Sequence, residues 1–452
     1  MDNSFLFYVA KWRVMKKRID RKTFVRYNAM TFIFEGCSPM AHVIIKTPPT
    51  WEEKIHQMNQ DALYDVADDD SACIPDFSAI KNEIKSRPSP PKVPKIFMSN
   101  DCIFNCAYCG CRASNDMRHC YTNDPKELAA ISVAEAQRNG HGVFISSAIF
   151  KNADYTTELI IATIKNIRNV LGYKGYVHAK IMPGTDQELI RTAGLYANRL
   201  SVNIEVAKSE GYEQIARNKT RENILTPMGH ISRLIRTASA ERSRYAPRFA
   251  SSQTTQLMAG STNETDYEVL RLSKAMYNKY LLKRVYYTSF QYKHPARGYE
   301  HLAPVATPPW RMKRLYQADR LMQLYDFTPE EILPDHAPLL EHDLDPKAAW
   351  ALRNIHLYPI EVNNADYEML LRIPGIGTTY AARILKARKY CKISHDVLRA
   401  LGVSLKRSKH FLTCNGKYQG EKCENIDVYR GLLAHSLDKP KLDMANNFVE
   451  DC

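Results

Sequence analysis

The chemistry in this chain is concentrated in one short stretch, Asn100-Asp101-Cys102-Ile103-Phe104-Asn105-Cys106-Ala107-Tyr108-Cys109, which sets three thiols at C-x3-C-x2-C spacing. Thiolate sulfur is the ligand that iron–sulfur clusters require, and so short a loop can bring all three to one inorganic group. A [4Fe–4S] cube bound by three cysteines keeps one iron open to a substrate or cofactor, which makes the arrangement reactive instead of sealed. Other readings use the same residues. Cys111 and Cys120 follow closely, so a four-thiolate zinc site can be drawn from the five cysteines, although such sites usually pair two C-x2-C knuckles and only one is present. Unliganded core cysteines are the third reading.

Composition narrows the setting. A chain of 452 residues has room for two or three domains, and 44% hydrophobic with 25% charged residues describes a globular, soluble protein. No apolar run reaches the roughly 18 residues of a membrane span, and the segment from Phe5 to Ala10 is too short for a secretory core. Eleven unevenly spaced cysteines do not suggest a disulfide framework. These features predict a cytoplasmic protein. A formal net charge of +14 favours a polyanionic partner without saying which one.

The elements that must position the cysteines follow from periodicity. Residues 1–50 read as a basic extension, with eight Lys/Arg against two Asp between Met1 and Arg26. Residues 51–94 form an N-terminal segment that turns acidic at Asp68-Asp69-Asp70 and ends in a Pro-rich linker. From 95 to 303 short β-rich runs alternate with segments of helical period, predicting strands at 95–99, 142–147, 175–181, 199–206, 256–260 and 283–290. Asp124-Pro125 and Gly140 bound one intervening helix, and Thr185 with Glu188 suggests a capping box for another. Repeated β-then-α units imply an α/β fold with a parallel sheet, and six units suit a partial (β/α)6 TIM-like barrel left open. Active residues in such barrels gather at the C-terminal ends of the strands, and the cysteine loop begins just after the first strand. His178 and Lys180, on one face of the third strand, are placed to meet substrate or phosphate, although a lone strand histidine is more often a core residue. Arg221, Arg242, Arg244 and Arg248 read as a basic surface loop.

After residue 290 the alternation stops. Prolines 304, 308 and 309 mark a linker, and residues 304–414 read as an all-α domain with helices at 310–325, 346–354, 365–372 and 378–389. Within it, 363–390 resemble a helix-hairpin-helix around Ile373-Pro374-Gly375-Ile376-Gly377. The glycines permit a sharp turn that aims the N–H groups of the second helix at a phosphate. Thr378, Arg383 and Lys386 extend that candidate nucleic-acid-binding set. Ten Lys/Arg against the single acid Asp396 between Arg372 and Lys409 concentrate positive charge there. A degenerate second hairpin at 394–412 lacks the proline and one glycine and is expected to pack against the first. A compact protein-interaction domain is the alternative. Residues 415–452 read as a tail.

The cysteine loop, with an aromatic just before its third thiol, resembles that of the radical S-adenosylmethionine (radical SAM) superfamily. The resemblance implies a [4Fe–4S] cluster on Cys102, Cys106 and Cys109, and S-adenosyl-L-methionine chelated at the open iron, whose reductive cleavage yields a 5′-deoxyadenosyl radical. It also implies cofactor-binding roles at strand ends. Tyr108 would stack on the adenine or pack the loop; Ser146 and Ser147 stand where the superfamily carries a Gly-Gly-Glu-like segment. Asn203 and Glu205 would meet the ribose or amino group or serve as core polars. Gly260 would let the adenine approach the backbone.

Longer segments are similar to the family of DNA modification/repair radical SAM proteins. They are Lys95-Ile96-Phe97-Met98-Ser99-Asn100-Asp101-Cys102, Asp154-Tyr155-Thr156-Thr157-Glu158-Leu159, Leu200-Ser201-Val202-Asn203-Ile204-Glu205 and Asp345-Pro346-Lys347-Ala348-Ala349-Trp350-Ala351-Leu352-Arg353. The run Asn363-Asn364-Ala365-Asp366-Tyr367-Glu368-Met369-Leu370-Leu371-Arg372 joins them to the hairpin, for coverage from about Glu53 to Cys414. Three features depart from the family pattern: the extension at 1–50, the acidic run at 68–70 and Ala148 in place of glycine. The resemblance implies a radical SAM enzyme acting on nucleic acid, in DNA modification or DNA repair, with an electron donor and a uracil-DNA-glycosylase-like protein as partners. An RNA-modifying enzyme and a DNA-binding repair or scaffold protein with a structural Fe–S cluster are the alternatives.

Overall fold

The computed structural model describes Met58 and residues 93–116, 119–140, 142–241, 248–292, 297–302, 305–421 and 425–435. The basic extension, most of 51–94, Arg242, Arg244 and residues 436–452 lie outside the described residues. The chain divides into two units, Met1–Met58 and Asn59–Cys452, and the elements below all belong to the second.

Six strands, β1 (Lys95–Phe97), β2 (Val143–Ser146), β3 (Val177–Lys180), β4 (Arg199–Ser201), β5 (Ser252–Ala259) and β6 (Leu282–Ser289), lie parallel in sequential order. Helices α1 (Pro125–Asn139), α2 (Ala153–Lys165), α3 (Gln187–Tyr196), α4 (Glu210–Ile215), α5 (Arg221–Ala240) and α6 (Asp266–Tyr280) connect them. A parallel sheet is covered on both faces, so its strands are buried even where they carry polar side chains: all four residues of β2 and seven of the eight in β5 are buried, the latter including Gln253, Thr254, Thr255 and Gln256. Asp124 caps α1 by accepting from the Lys126 and Glu127 amides, and Gly140 ends it at φ 68°, both as the sequence predicts.

The cap of α3 differs. Asp186, not Thr185, accepts from the Glu188 amide, because the Thr185 hydroxyl is turned inward to the Met182 carbonyl and the Thr157 hydroxyl. The fourth strand is also shorter than predicted. The Thr255 hydroxyl takes the Ile204 amide at 2.8 Å and donates to the Val202 carbonyl at 2.8 Å, so a side chain replaces the ladder just beyond Ser201. Backbone pairing resumes only at Glu205, whose N–H and C=O meet Gln256 and Met258.

The sheet does not close: β6 is an edge strand. Tyrosine hydroxyls occupy its ladder groups. The Val285 amide donates to Tyr277 of α6, while the Tyr287 amide and carbonyl bond Tyr316 of the next helix, α7 (Pro309–Leu324). An exposed edge invites unwanted pairing, and this one is covered. Helix α7 is therefore bound to the barrel across the predicted boundary at 303/304, and both sides of that boundary fall in the same compact unit. A short antiparallel pair, β7 (Gln291–Tyr292) and β8 (Val305–Ala306), precedes it.

The region beyond is mainly helical, as the sequence predicts, with a small sheet added. Helices α8 (Pro329–Ile332), α9 (Pro346–Arg353), α10 (Tyr367–Arg372), α11 (Thr378–Ala387), α12 (His395–Ala400) and α13 (Leu405–Ser408) are framed by three strands, β9 (Ile360–Glu361), β10 (Leu412–Cys414) and β11 (Lys417–Tyr418). The carboxylate of Glu361 holds that frame by accepting from the Asn363, Asn415 and Gly416 amides. The predicted tail also begins as structure. Helix α14 (Ile426–His435) buries Leu433, and its Arg430 pairs with Asp343 at 2.7 Å and with Glu341. No helix among the described residues is long and apolar enough to cross a membrane.

Candidate active site

The cysteine loop leaves β1 at its C-terminal end and is pinned on three sides. The Ile103 amide donates to Ile149 beyond β2, the Ala107 amide to Ile215 at the end of α4, and the Asn105 amide to the Asn218 side chain. The side chain of Asn105 closes the loop on itself, its oxygen accepting from the Ser114 amide and hydroxyl. Backbone so fixed can hold thiols in a set arrangement. All three cysteines are thiols, not disulfides, and they line one cavity of about 100 Å3.

The electrostatics of that cavity fit a thiolate-bound group. Burial pushes the Cys106 thiol up to about 12, and burial with the neighbouring Cys109 raises Cys102. Cys106 is buried and Cys102 half-buried, so a cationic centre such as iron would favour their thiolate forms. Among the described residues no group of three or more His, Cys, Asp and Glu is arranged to hold a single metal ion. A cluster differs in spreading its thiolates over separate irons. Cys111 is buried at the cavity wall, whereas Cys120 is exposed.

Glu205, Lys219 and Tyr108 line the same cavity. The Lys219 ammonium donates to Glu205 Oε1 at 2.6 Å and to the Tyr108 hydroxyl at 3.1 Å, with side chains 12% and 3% exposed for Lys219 and Glu205. Burial alone would lower the Lys219 pKa, but the Glu205 carboxylate and Cys106 more than offset it, so the lysine stays charged. Burial, then Glu205, raises Tyr108 well above the usual phenol range and keeps it protonated. Glu205 sits at φ 63°, a left-handed conformation costly for a non-glycine residue, and its Oε2 is buried without a hydrogen-bond partner. An unmet carboxylate oxygen on a cavity wall is suited to an ammonium or hydroxyl group of a bound molecule.

Of the predicted cofactor residues, Tyr108, Ser147, Asn203 and Glu205 line the cavity. Asn203 and Glu205 do so from beyond β4, not along it. Ser146 is the last residue of β2, fully buried, and its carbonyl accepts from Met98. Gly260 is placed elsewhere: at φ 82°, a Cβ there would lie 1.9 Å from Thr307 Oγ1, so the group approaching its backbone is Thr307. His178 is a core residue, stacked on Phe144 at 4.1 Å and bonded to the Ser201 hydroxyl at 2.9 Å, while Lys180 reaches the cavity wall. Lys219, Gln256 and Arg112 also line it, and no motif marks them in the sequence. Lys219 lies between α4 and α5, away from any strand end, so the barrel rule does not single it out.

The second predicted site is built as a turn between α10 and α11. Gly375 is exposed at φ 91°, Ile373, Pro374 and Ile376 are buried, and Gly377 precedes α11. Lys347 supports the turn from beneath by donating to the Ile376 carbonyl at 2.5 Å. The second pair, α12 and α13, packs against the first: a Cβ on Gly375 would meet Ser408 at 3.5 Å, and Gly402 adjoins Tyr380 and Arg383. Thr378 is half-buried at the start of α11, and Arg383 and Lys386 are exposed along it.

Fold and site together define an open six-stranded parallel α/β barrel with a three-cysteine loop at its C-terminal mouth. No family model matches the chain, and no curated protein matches it. Among solved structures, it is similar to the FeFe-hydrogenase maturase HydG from Carboxydothermus hydrogenoformans, at 14% identity over 51% of each chain and a TM-score of 0.38. A second HydG, a maturase of the [FeFe]-hydrogenase, matches at 14% identity over 68% of this chain and 80% of that one, with a TM-score of 0.36. The chain spans about half the length of the first. At such scores the architecture rests on its own strand order and register.

Proposed function

We propose that the protein is a radical SAM enzyme acting on nucleic acid, in DNA modification or DNA repair. The observation that carries this reading is the meeting, in one cavity at the C-terminal end of a parallel sheet, of three cysteine thiols with a buried carboxylate that has an unmet oxygen. A [4Fe–4S] cluster with S-adenosyl-L-methionine would supply a 5′-deoxyadenosyl radical for hydrogen abstraction. Cys102, Cys106 and Cys109 hold the cluster. Glu205 Oε2 accepts from the cofactor's ammonium or a ribose hydroxyl, and Lys219 fixes the carboxylate in place. Apolar wall residues such as Phe97 and Ile181 limit water around the reacting groups. The α10–α11 turn holds nucleic acid by its phosphates, and a base acted upon must leave the duplex stack. An electron donor, a glycosylase-like partner and a cytoplasmic, reducing compartment belong to the same reading.

Cys111 favours a second reading, because it lies buried on the same cavity wall. As a fourth ligand it would seal the cluster and make it structural. Anaerobically reconstituted protein separates the two. Under the proposal, the electron paramagnetic resonance signal of the reduced cluster shifts on adding S-adenosylmethionine, 5′-deoxyadenosine forms, and Cys111→Ala changes neither. An unshifted signal without product in fully loaded protein, or loss of the cluster in Cys111→Ala, would favour the structural cluster. Competition between matched DNA and RNA then identifies the nucleic acid.

A further inference from the structure

Helix α11 carries an exposed stripe that the phosphate-binding turn does not account for. Thr379, Arg383, Lys386 and Tyr390 recur at helical spacing, all are exposed, and the last follows the helix end with its amide on the Ala387 carbonyl. At 1.5 Å per residue the stripe runs roughly 16 Å from the turn to Tyr390. The tyrosine ring is 81% exposed, more than any other large hydrophobic side chain among the described residues. It is also the only exposed one between Arg372 and Lys409.

Its surroundings decide what such a ring is for. Docking another folded protein would call for neighbouring apolar surface, and here the flanking side chains are Lys389, Cys391 and Lys392, all exposed. Many cations of this region are already committed. Arg372 pairs with Glu331, Arg399 with Asp396 and Arg407 with Asp345, and Arg388 donates to the Val362 and Ala365 carbonyls. Lys386, Lys389 and Lys392 have no ion pair among the described residues. Arg383 is held in place, bonded to the Leu401 carbonyl at 3.0 Å and lying over the Tyr380 ring. Fixed and uncommitted cations thus lead from the turn to a bare aromatic face, with no acid on the stripe. That combination fits a polyanion whose flat groups are open to stacking.

We infer that the Tyr390 end of this stripe binds single-stranded or unstacked nucleic acid, with Arg383, Lys386, Lys389 and Lys392 following the backbone and the Tyr390 ring stacking on a base. In a duplex each base face is covered by its neighbour, so the ring selects for strand that is already open. This rests on the nucleic-acid reading above and adds to it the form of the substrate.

The test is fluorescence anisotropy of the full chain with a labelled 20-nucleotide single strand and with the matching duplex, at two salt concentrations. Base–aromatic stacking is worth about 1–3 kcal/mol by alanine substitution, so Tyr390→Ala should weaken single-strand binding about 5- to 150-fold. Duplex affinity should stay within about twofold, and Tyr390→Phe should behave as wild type. Lys386→Ala should weaken both and reduce the salt slope by about 1. Unchanged single-strand affinity in Tyr390→Ala, with Lys386→Ala still impaired, would overturn the stacking role while sparing the nucleic-acid reading. Wild-type protein that binds neither strand form would overturn both. Tyr390 buries almost nothing, so a folding defect does not confound the variant.

Discussion

At the scale of single residues, the site depends on a buried cation. Lys219 is the partner that makes the Glu205 carboxylate tolerable inside the cavity wall. Lys219→Met should therefore cost about 3–5 kcal/mol in urea denaturation of the cluster-free protein, because it leaves a buried charge alone. Adding Glu205→Gln should restore much of that loss; strictly additive losses in the double variant would show that the two do not act as a pair. The cysteines were legible in the sequence because their spacing is local and thiols are chemically specific. Lys219 was not, since it stands 111 residues from Tyr108 in a polar run before α5 and only the fold joins them. Gly260 shows the converse case, where a strand-end glycine did mark a close approach but its neighbour is Thr307.

At the scale of elements, all six strands were readable from short β-rich runs alternating with segments of helical period, although the polar start of β5, Ser252 to Thr255, was not. Nor was the end of β4. Val202, Ile204 and Val206 continue the apolar alternation, and nothing local indicates that Thr255 takes over the hydrogen bonds there. That threonine shapes the segment that carries Asn203 and Glu205. Thr255→Val keeps the volume but orphans the Ile204 amide and the Val202 carbonyl, which should destabilise the protein by roughly 2–4 kcal/mol. Retention of wild-type stability on chemical unfolding would mean that the segment is held by packing alone. In the second site, Gly375 occupies a conformation that an L side chain rarely adopts, although the space beside it is adequate. Gly375→Ala should cost about 1–2 kcal/mol; under the nucleic-acid proposal, in which the turn would meet phosphates and Tyr390 a base, it should also weaken duplex binding more than single-strand binding.

At the scale of the whole molecule, the barrel and the helical region are joined more closely than a proline-rich linker suggests. Pro308 and Pro309 start α7, and α7 completes the barrel edge through Tyr316 and Asp319. Asp319 accepts from Tyr277 at 2.8 Å and from Tyr287 at 3.2 Å. Burial raises its pKa from the ordinary value to about 6, partly offset by those two hydroxyls. The folded state thus binds a proton that the unfolded state has released between pH 4 and 6. Stability from this group is greatest below pH 4 and falls by roughly 2–3 kcal/mol as pH rises to 6. Asp319→Asn should remove that slope, so the stability difference between variant and wild type should change across pH 4–6 and stay constant above it. A difference that is flat throughout would place the proton elsewhere. Nothing in the sequence warns of this junction, because proline at a helix start and proline in a linker look alike.

The sequential strand order also sets a timetable. Each strand of the barrel pairs with the one made just before it, so the sheet can grow as the chain emerges. The thiols belong to its first loop, yet the ammonium that shares their cavity is encoded 111 residues after Tyr108. At about 5–20 residues per second, synthesis needs roughly 5–20 s to cover that interval. For that time the three sulfurs are exposed without the carboxylate, the lysine or the far wall of their cavity. The cavity that gathers them is complete only once Gln256 of β5, the last of its lining residues, has been made.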